Sequence, residues 1–110
     1  MAIYGKRRSE RVLLDVPVFI EGQEEGAREF KEETFTLTVS AHGALVVLAA
    51  KVALGQTLRL TNLKSKDQHD AMVAFLGPPY AGLATVGIQF SKPAPEFWAI
   101  ASPPADWKTA

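Results

Sequence analysis

The chain has 110 residues, enough for one hydrophobic core but not two, and its 12 basic and 12 acidic residues balance, so no global field draws it to nucleic acid or a membrane surface. It has no cysteine, which excludes disulfides and thiolate metal sites, and with imidazole available only from His42 and His69 a structural zinc site is not expected. The N-terminal Met1-Ala2-Ile3-Tyr4-Gly5-Lys6-Arg7-Arg8 lacks the apolar centre of a signal peptide, and no apolar run reaches the roughly 20 residues of a membrane span.

The expectation is one cytoplasmic domain: a flexible arm over residues 1–6, a β-domain over 7–101 and a tail over 102–110. Val12 to Glu21 alternates with period two, placing Leu14, Val16, Val18 and Ile20 on one face. Pro17 cannot donate to a ladder, so that strand is expected at an edge or with a bulge. After an acidic loop from Gly22 to Gly26, a strand from about Glu29 to Ser40 is read with Phe35, Leu37 and Val39 inward. Thr34, Thr36, Thr38 and Ser40 then project outward together. Gly43 to Ala50 is apolar on both faces, as a central strand is.

Leu54-Gly55 turns the chain into Gln56 to Leu63, and Lys64 to Asp67 forms a hairpin loop. Strands follow at Asp70 to Gly77 and Leu83 to Ser91, joined by the proline-rich stretch Gly77 to Gly82. Behind Pro93 and Pro95, Glu96 to Ile100 is expected to form a short helix, ended by Ser102-Pro103-Pro104. Six short strands at about ten-residue spacing and one small helix indicate an all-β fold, a closed or nearly closed six-stranded antiparallel barrel with a short C-terminal helix.

Two segments stand out from this scaffold. Lys6-Arg7-Arg8-Ser9-Glu10-Arg11 gathers guanidiniums that no strand requires, and Thr38-Val39-Ser40-Ala41-His42-Gly43 sets hydroxyls and a glycine between two apolar runs. Guanidinium is planar, always charged and able to hold phosphate oxygens two at a time. The pair points to a site for a compact, phosphate-bearing anion.

Arg7-x-x-x-Arg11, a strand, an acidic hairpin and then x-x-Ser40-x-x-Gly43 resembles the PilZ domain, whose signature is Arg-x-x-x-Arg followed by Asp/Asn-x-Ser-x-x-Gly. The resemblance extends from about Arg7 to Ile100, through Gly43 to Val47 and Val86-Gly87-Ile88-Gln89-Phe90. It implies a six-stranded antiparallel barrel that binds cyclic di-GMP and relays its level to a downstream protein, with no cofactor, no DNA or RNA and no membrane insertion. By that resemblance Arg7 and Arg11 clasp phosphate and stack on guanine, Arg8 assists, Ser40 donates to the ligand, and Gly43 lets the backbone pass close to a base. The arm orders on binding. Thr38 stands where the family has Asp or Asn. A hydroxyl offers one compact oxygen where a carboxylate or amide accepts from two adjacent donors, a difference of about 1–3 kcal/mol when a donor is left unpaired.

A second reading follows from Thr38: a PilZ-like domain that no longer binds the nucleotide and meets only protein, through Phe97, Trp98 and Trp107. Simpler roles stand beside the sharper ones. Phe97 and Trp98 also suit a lid on the barrel end, Trp107 a disordered or partner-docked tail, and Gly43 a bulge or turn. His42 suits a loop residue on the rim, and the acidic run from Glu21 to Glu33 a solvated hairpin. An enzyme is not expected. Ser40 and His42 lie two residues apart, and no carboxylate close in sequence orients the imidazole.

Overall fold

A computed structural model of the protein describes residues 9–23, 28–100 and 103–109. The arm expected at 1–6, Arg7, Arg8 and the tip of the acidic loop lie outside those residues. Seven strands follow in chain order: β1 (Val12–Leu13), β2 (Pro17–Gln23), β3 (Glu29–Ser40), β4 (Gly43–Leu48), β5 (Thr57–Asn62), β6 (Gln68–Leu76) and β7 (Ala84–Phe90). All their ladders are antiparallel. β2 pairs with β3 and β5, β5 with β6, β6 with β7, β7 with β4, and β4 with β3 again. That circuit closes a six-stranded barrel, as the alternation implied. β1 lies outside it, running along β3 beyond the start of β2.

Period-two burial holds over much of the wall. Val16, Val18, Ile20, Leu58, Leu60, Val86, Ile88 and Phe90 turn into the core while Arg59 stays exposed. β4 is buried on both faces, with Val46 and Leu48 in the core and Val47 covered from outside. Buried Asn62 ties the β5–β6 hairpin to the C-terminal segment, because its amide donates to the Phe97 carbonyl at 2.8 Å and its oxygen accepts from the Lys64 N–H at 2.9 Å.

Three expectations need correction. First, Val12 to Glu21 is two strands, not one. Leu13 pairs with Thr38 but Pro17 with Phe35, so the register against β3 slips by one residue across the gap. The Thr36 hydroxyl fills that gap, accepting from the Val16 N–H at 2.9 Å and donating to the Leu14 carbonyl at 2.6 Å. Second, Thr36 is therefore fully buried rather than part of an outward row. A bulge between Thr36 and Thr38 in the β3–β4 ladder changes which side chains turn inward, from Thr36 before it to Val39 after it. Phe35 and Leu37, expected inward, are only half-buried.

Third, Glu96 to Ile100 is not a helix. Single turns close from the Phe97 N–H to the Ala94 carbonyl and from the Ala99 N–H to the Glu96 carbonyl, each at 3.1 Å. Ala99, with φ of 53°, then leaves right-handed helical space. The short helix is a 3-10 helix at Ala105–Thr109. Pro103-Pro104 precedes it rather than ending one, with the Trp107 N–H bonded to the Pro104 carbonyl at 3.1 Å. Trp107 is neither disordered nor offered to a partner: it is 0 % exposed and part of the core. Burying an indole removes about 150–250 Å² from water, roughly 4–6 kcal/mol before the cost of ordering the tail. Phe97 and Trp98 are buried too and close the barrel end as a lid, packed edge-to-face 4.8 Å apart. The exposed large apolar side chains lie elsewhere, among them Leu13 and, around the β6–β7 hairpin, Phe75, Leu76, Tyr80 and Leu83.

Candidate functional site

The two sequence motifs meet through Ser9. This serine is 3 % exposed, and its hydroxyl lies 3.0 Å from Nδ1 of His42. Val12 lies opposite Val39 and Leu13 opposite Thr38, so one further step back along the ladder brings the chain at Arg11 level with Ser40. The Arg11 side chain is exposed. Among the described residues the one ion pair is Arg59 with Asp70 at 3.3 Å, so no described carboxylate holds the Arg11 guanidinium.

Past the bulge, Thr38 and Ser40 face out of the barrel, as expected, on either side of inward Val39. The Ser40 hydroxyl accepts from the His42 N–H at 3.3 Å, which occupies one lone pair and leaves its O–H as a donor. The turn that follows is clamped from several directions. The Trp98 indole N–H donates to the Ser40 carbonyl at 2.9 Å. The Ala94 N–H donates to the Ala41 carbonyl, and the Phe90 N–H to the His42 carbonyl, each at 2.7 Å. These bonds fix the backbone that carries the Ser40 side chain.

Gly43 has an internal reason to be glycine. It pairs with Gln89 of β7, and a Cβ there would lie 1.9 Å from the Ile88 carbonyl oxygen. The contact that excludes a side chain is thus backbone of the barrel itself. Two clefts of about 400 and 360 Å³ open elsewhere: one beside Lys31, Arg59 and Asp70, the other between His69 and Phe97. Neither is lined by Arg11, Thr38, Ser40 or Gly43. Among the described residues no three His, Cys, Asp or Glu side chains come together to hold a metal. None of their helices is long and apolar enough to cross a membrane.

Arg7 and Arg8 lie outside the described residues. Sequence reading missed four groups that shape the site: Ser9, the Trp98 N–H, and the pair Asp106 and Trp107, which hold the backbone of Glu10. Their partners are 33 to 97 residues away, and no local pattern marks them.

Comparison with known proteins bears on the family and the fold. The family model described as PilZ domain matches residues 5–97. The structure of the Bacillus subtilis inhibitor of motility (MotI/DgrA) superposes with a TM-score of 0.64 at 23% identity, covering 81% of this chain and 44% of that one. The K. pneumonia MrkH–c-di-GMP complex superposes with a TM-score of 0.59 at 12% identity, covering 79% and 45%. At those identities the likeness bears on the fold, and the chain spans less than half the length of either protein. No curated relative matches.

Proposed function

The chain belongs to the PilZ domain family, and from that premise we propose that it is a cytoplasmic receptor domain for cyclic di-GMP that passes the state of its site to a downstream protein. The observation that carries this reading is the 3.0 Å contact between Ser9 and His42. It fixes the centre of the Arg7-to-Arg11 motif against the turn that ends in Gly43. Arg11 and Ser40 then come level, with Arg11 in reach of a phosphate and the Ser40 O–H directed out of the wall beside it. MrkH, which has this fold, is described in complex with the same dinucleotide.

In this reading Arg7, Arg8 and Arg11 hold phosphate and stack on guanine, while Ser40 donates and Thr38 meets the base edge. Each charge-assisted hydrogen bond contributes about 1.5–3 kcal/mol, so four at the upper end supply about 12 kcal/mol, and about 8 kcal/mol, the level of micromolar binding, is left once about 4 kcal/mol of association cost is subtracted. The competing reading, a domain that meets only protein, loses its aromatic surface, since Phe97, Trp98 and Trp107 are all buried. Thr38 still favours it, as do the exposed Phe75, Leu76, Tyr80 and Leu83 around the β6–β7 hairpin.

Isothermal titration with cyclic di-GMP tests the proposal. Heat that saturates in the tens of micromolar or below, and disappears in Arg11→Ala, supports it. Silence of the wild-type chain at several hundred micromolar ends it.

A further inference from the structure

The short backbone stretch between Ser9 and Arg11 is gripped from the far end of the chain. The Glu10 N–H donates to Oδ2 of Asp106 at 2.9 Å, and the Glu10 carbonyl accepts from Nε1 of Trp107 at 2.7 Å. Both groups stand on the 3-10 helix at Ala105–Thr109, and the Trp107 ring that aims the second bond is sealed in the core. Glu10 lies within the Arg-x-x-x-Arg motif, one residue before Arg11. Neither bond is needed to close the barrel, whose six strands end at Phe90.

We propose that Asp106 and Trp107 are positioning residues for the anion site: the docked C-terminal helix sets where Arg11 sits, and ligand occupancy and helix docking are thermodynamically coupled. The inference rests on the cyclic di-GMP reading above. Its physical basis is pre-organisation. A backbone residue left to be ordered by the ligand weakens binding about tenfold, whereas one already held by the tail adds no such cost. Coupling between two binding events is reciprocal, so the dinucleotide must hold the helix down by the same factor with which the helix strengthens the dinucleotide.

Two variants separate positioning from charge and from folding. Trp107→Phe keeps a ring in the core and removes only the donor to Glu10 together with part of the indole. Asp106→Ala alters an exposed side chain and removes a negative charge beside an anion site. Charge alone would tighten binding there, so weakening in that variant has the sign of lost positioning.

The experiment is isothermal titration of cyclic di-GMP into the full chain and both variants. Hydrogen exchange at the Trp107 indole N–H is followed alongside by NMR, with and without saturating dinucleotide. The expected result is a five- to tenfold weaker Kd in each folded variant, and indole exchange slowed by a similar factor in the liganded wild type. Wild-type affinity in the variants, or indole exchange indifferent to the ligand, overturns this inference and leaves the receptor reading standing. A silent wild-type chain overturns both. Should Trp107→Phe fail to fold, Asp106→Ala and the wild-type exchange measurement decide the matter.

Discussion

The indole N–H of Trp98 donates to the carbonyl of Ser40 at 2.9 Å, so the lid of the barrel and the wall of the candidate site are one hydrogen-bonded unit. Trp98 also stacks on Phe90 with centroids 5.8 Å apart and meets Phe97 edge-on, which keeps the indole from turning away. Phe90 in turn holds the His42 carbonyl through its own N–H. A disturbance of the lid therefore reaches the Ser40 turn by two routes.

Trp98→Phe tests that linkage. The ring is largely kept, but the Ser40 carbonyl loses its partner and a small void opens. The expected destabilisation is about 2–3 kcal/mol, combining an unmade hydrogen bond with lost packing. Urea unfolding gives the total. Amide exchange at His42 and Gly43 should rise by more than that of β5, which carries no hydrogen bond to the indole N–H. Equal change across the barrel would argue against a specific tether.

Gly43→Ala separates a structural glycine from one kept free for a ligand. The new Cβ would stand 1.9 Å from the Ile88 carbonyl oxygen, so β4 or β7 must move. Overpacking of this kind costs about 1–3 kcal/mol, and because the obstacle is paired backbone the upper half of that range is expected. The measurement is the thermal or urea midpoint with no ligand present. An unchanged midpoint would mean that the glycine answers to the ligand alone.

Thr36→Val examines the break between β1 and β2. Valine matches threonine in shape, but the Val16 N–H and the Leu14 carbonyl lose the hydroxyl that both now share. Two buried groups left without partners cost about 2–4 kcal/mol, and β1 should fray away from β3. A loss below about 1 kcal/mol in urea unfolding would show that water or a shifted backbone replaces the hydroxyl.

Thr36 also marks where the sequence stops being legible. The alternation of Leu58 and Leu60 with Arg59, and of Val86 with Ile88 and Phe90, identified strands and inward faces because a regular ladder repeats every two residues. One extra residue at a bulge resets that count and leaves no mark of its own. Thr36 was therefore read outward, although Thr38 and Ser40, beyond the bulge, were read correctly. Trp107 was missed for a related reason. Its place in the core is set by contacts distant in sequence, among them the Glu10 carbonyl 97 residues away, and a tryptophan behind two prolines reads locally as a tail. The arginine and serine motifs were visible as a pair, but the contact that joins them, Ser9 with His42, spans 33 residues.

Thr38→Asn addresses the position where this chain departs from its family. Thr38 pairs with Leu13 on one side and Leu45 on the other, and points outward two residues before Ser40. Residues so spaced stand about 7 Å apart on one face, a separation that a guanine base can bridge. An asparagine there supplies a carbonyl oxygen with two lone pairs and an amide with two donors, against one small hydroxyl. If the proposed site is otherwise intact, titration should give at least a tenfold tighter Kd for cyclic di-GMP, and Thr38→Val should give none of that gain. The exchange costs up to about 1 kcal/mol of strand preference, so the thermal midpoint should fall slightly while affinity rises. Movement of the two quantities in opposite directions distinguishes a new ligand contact from general tightening of the fold. A Thr38→Asn chain that binds no better than wild type would place the base beyond the reach of this side chain.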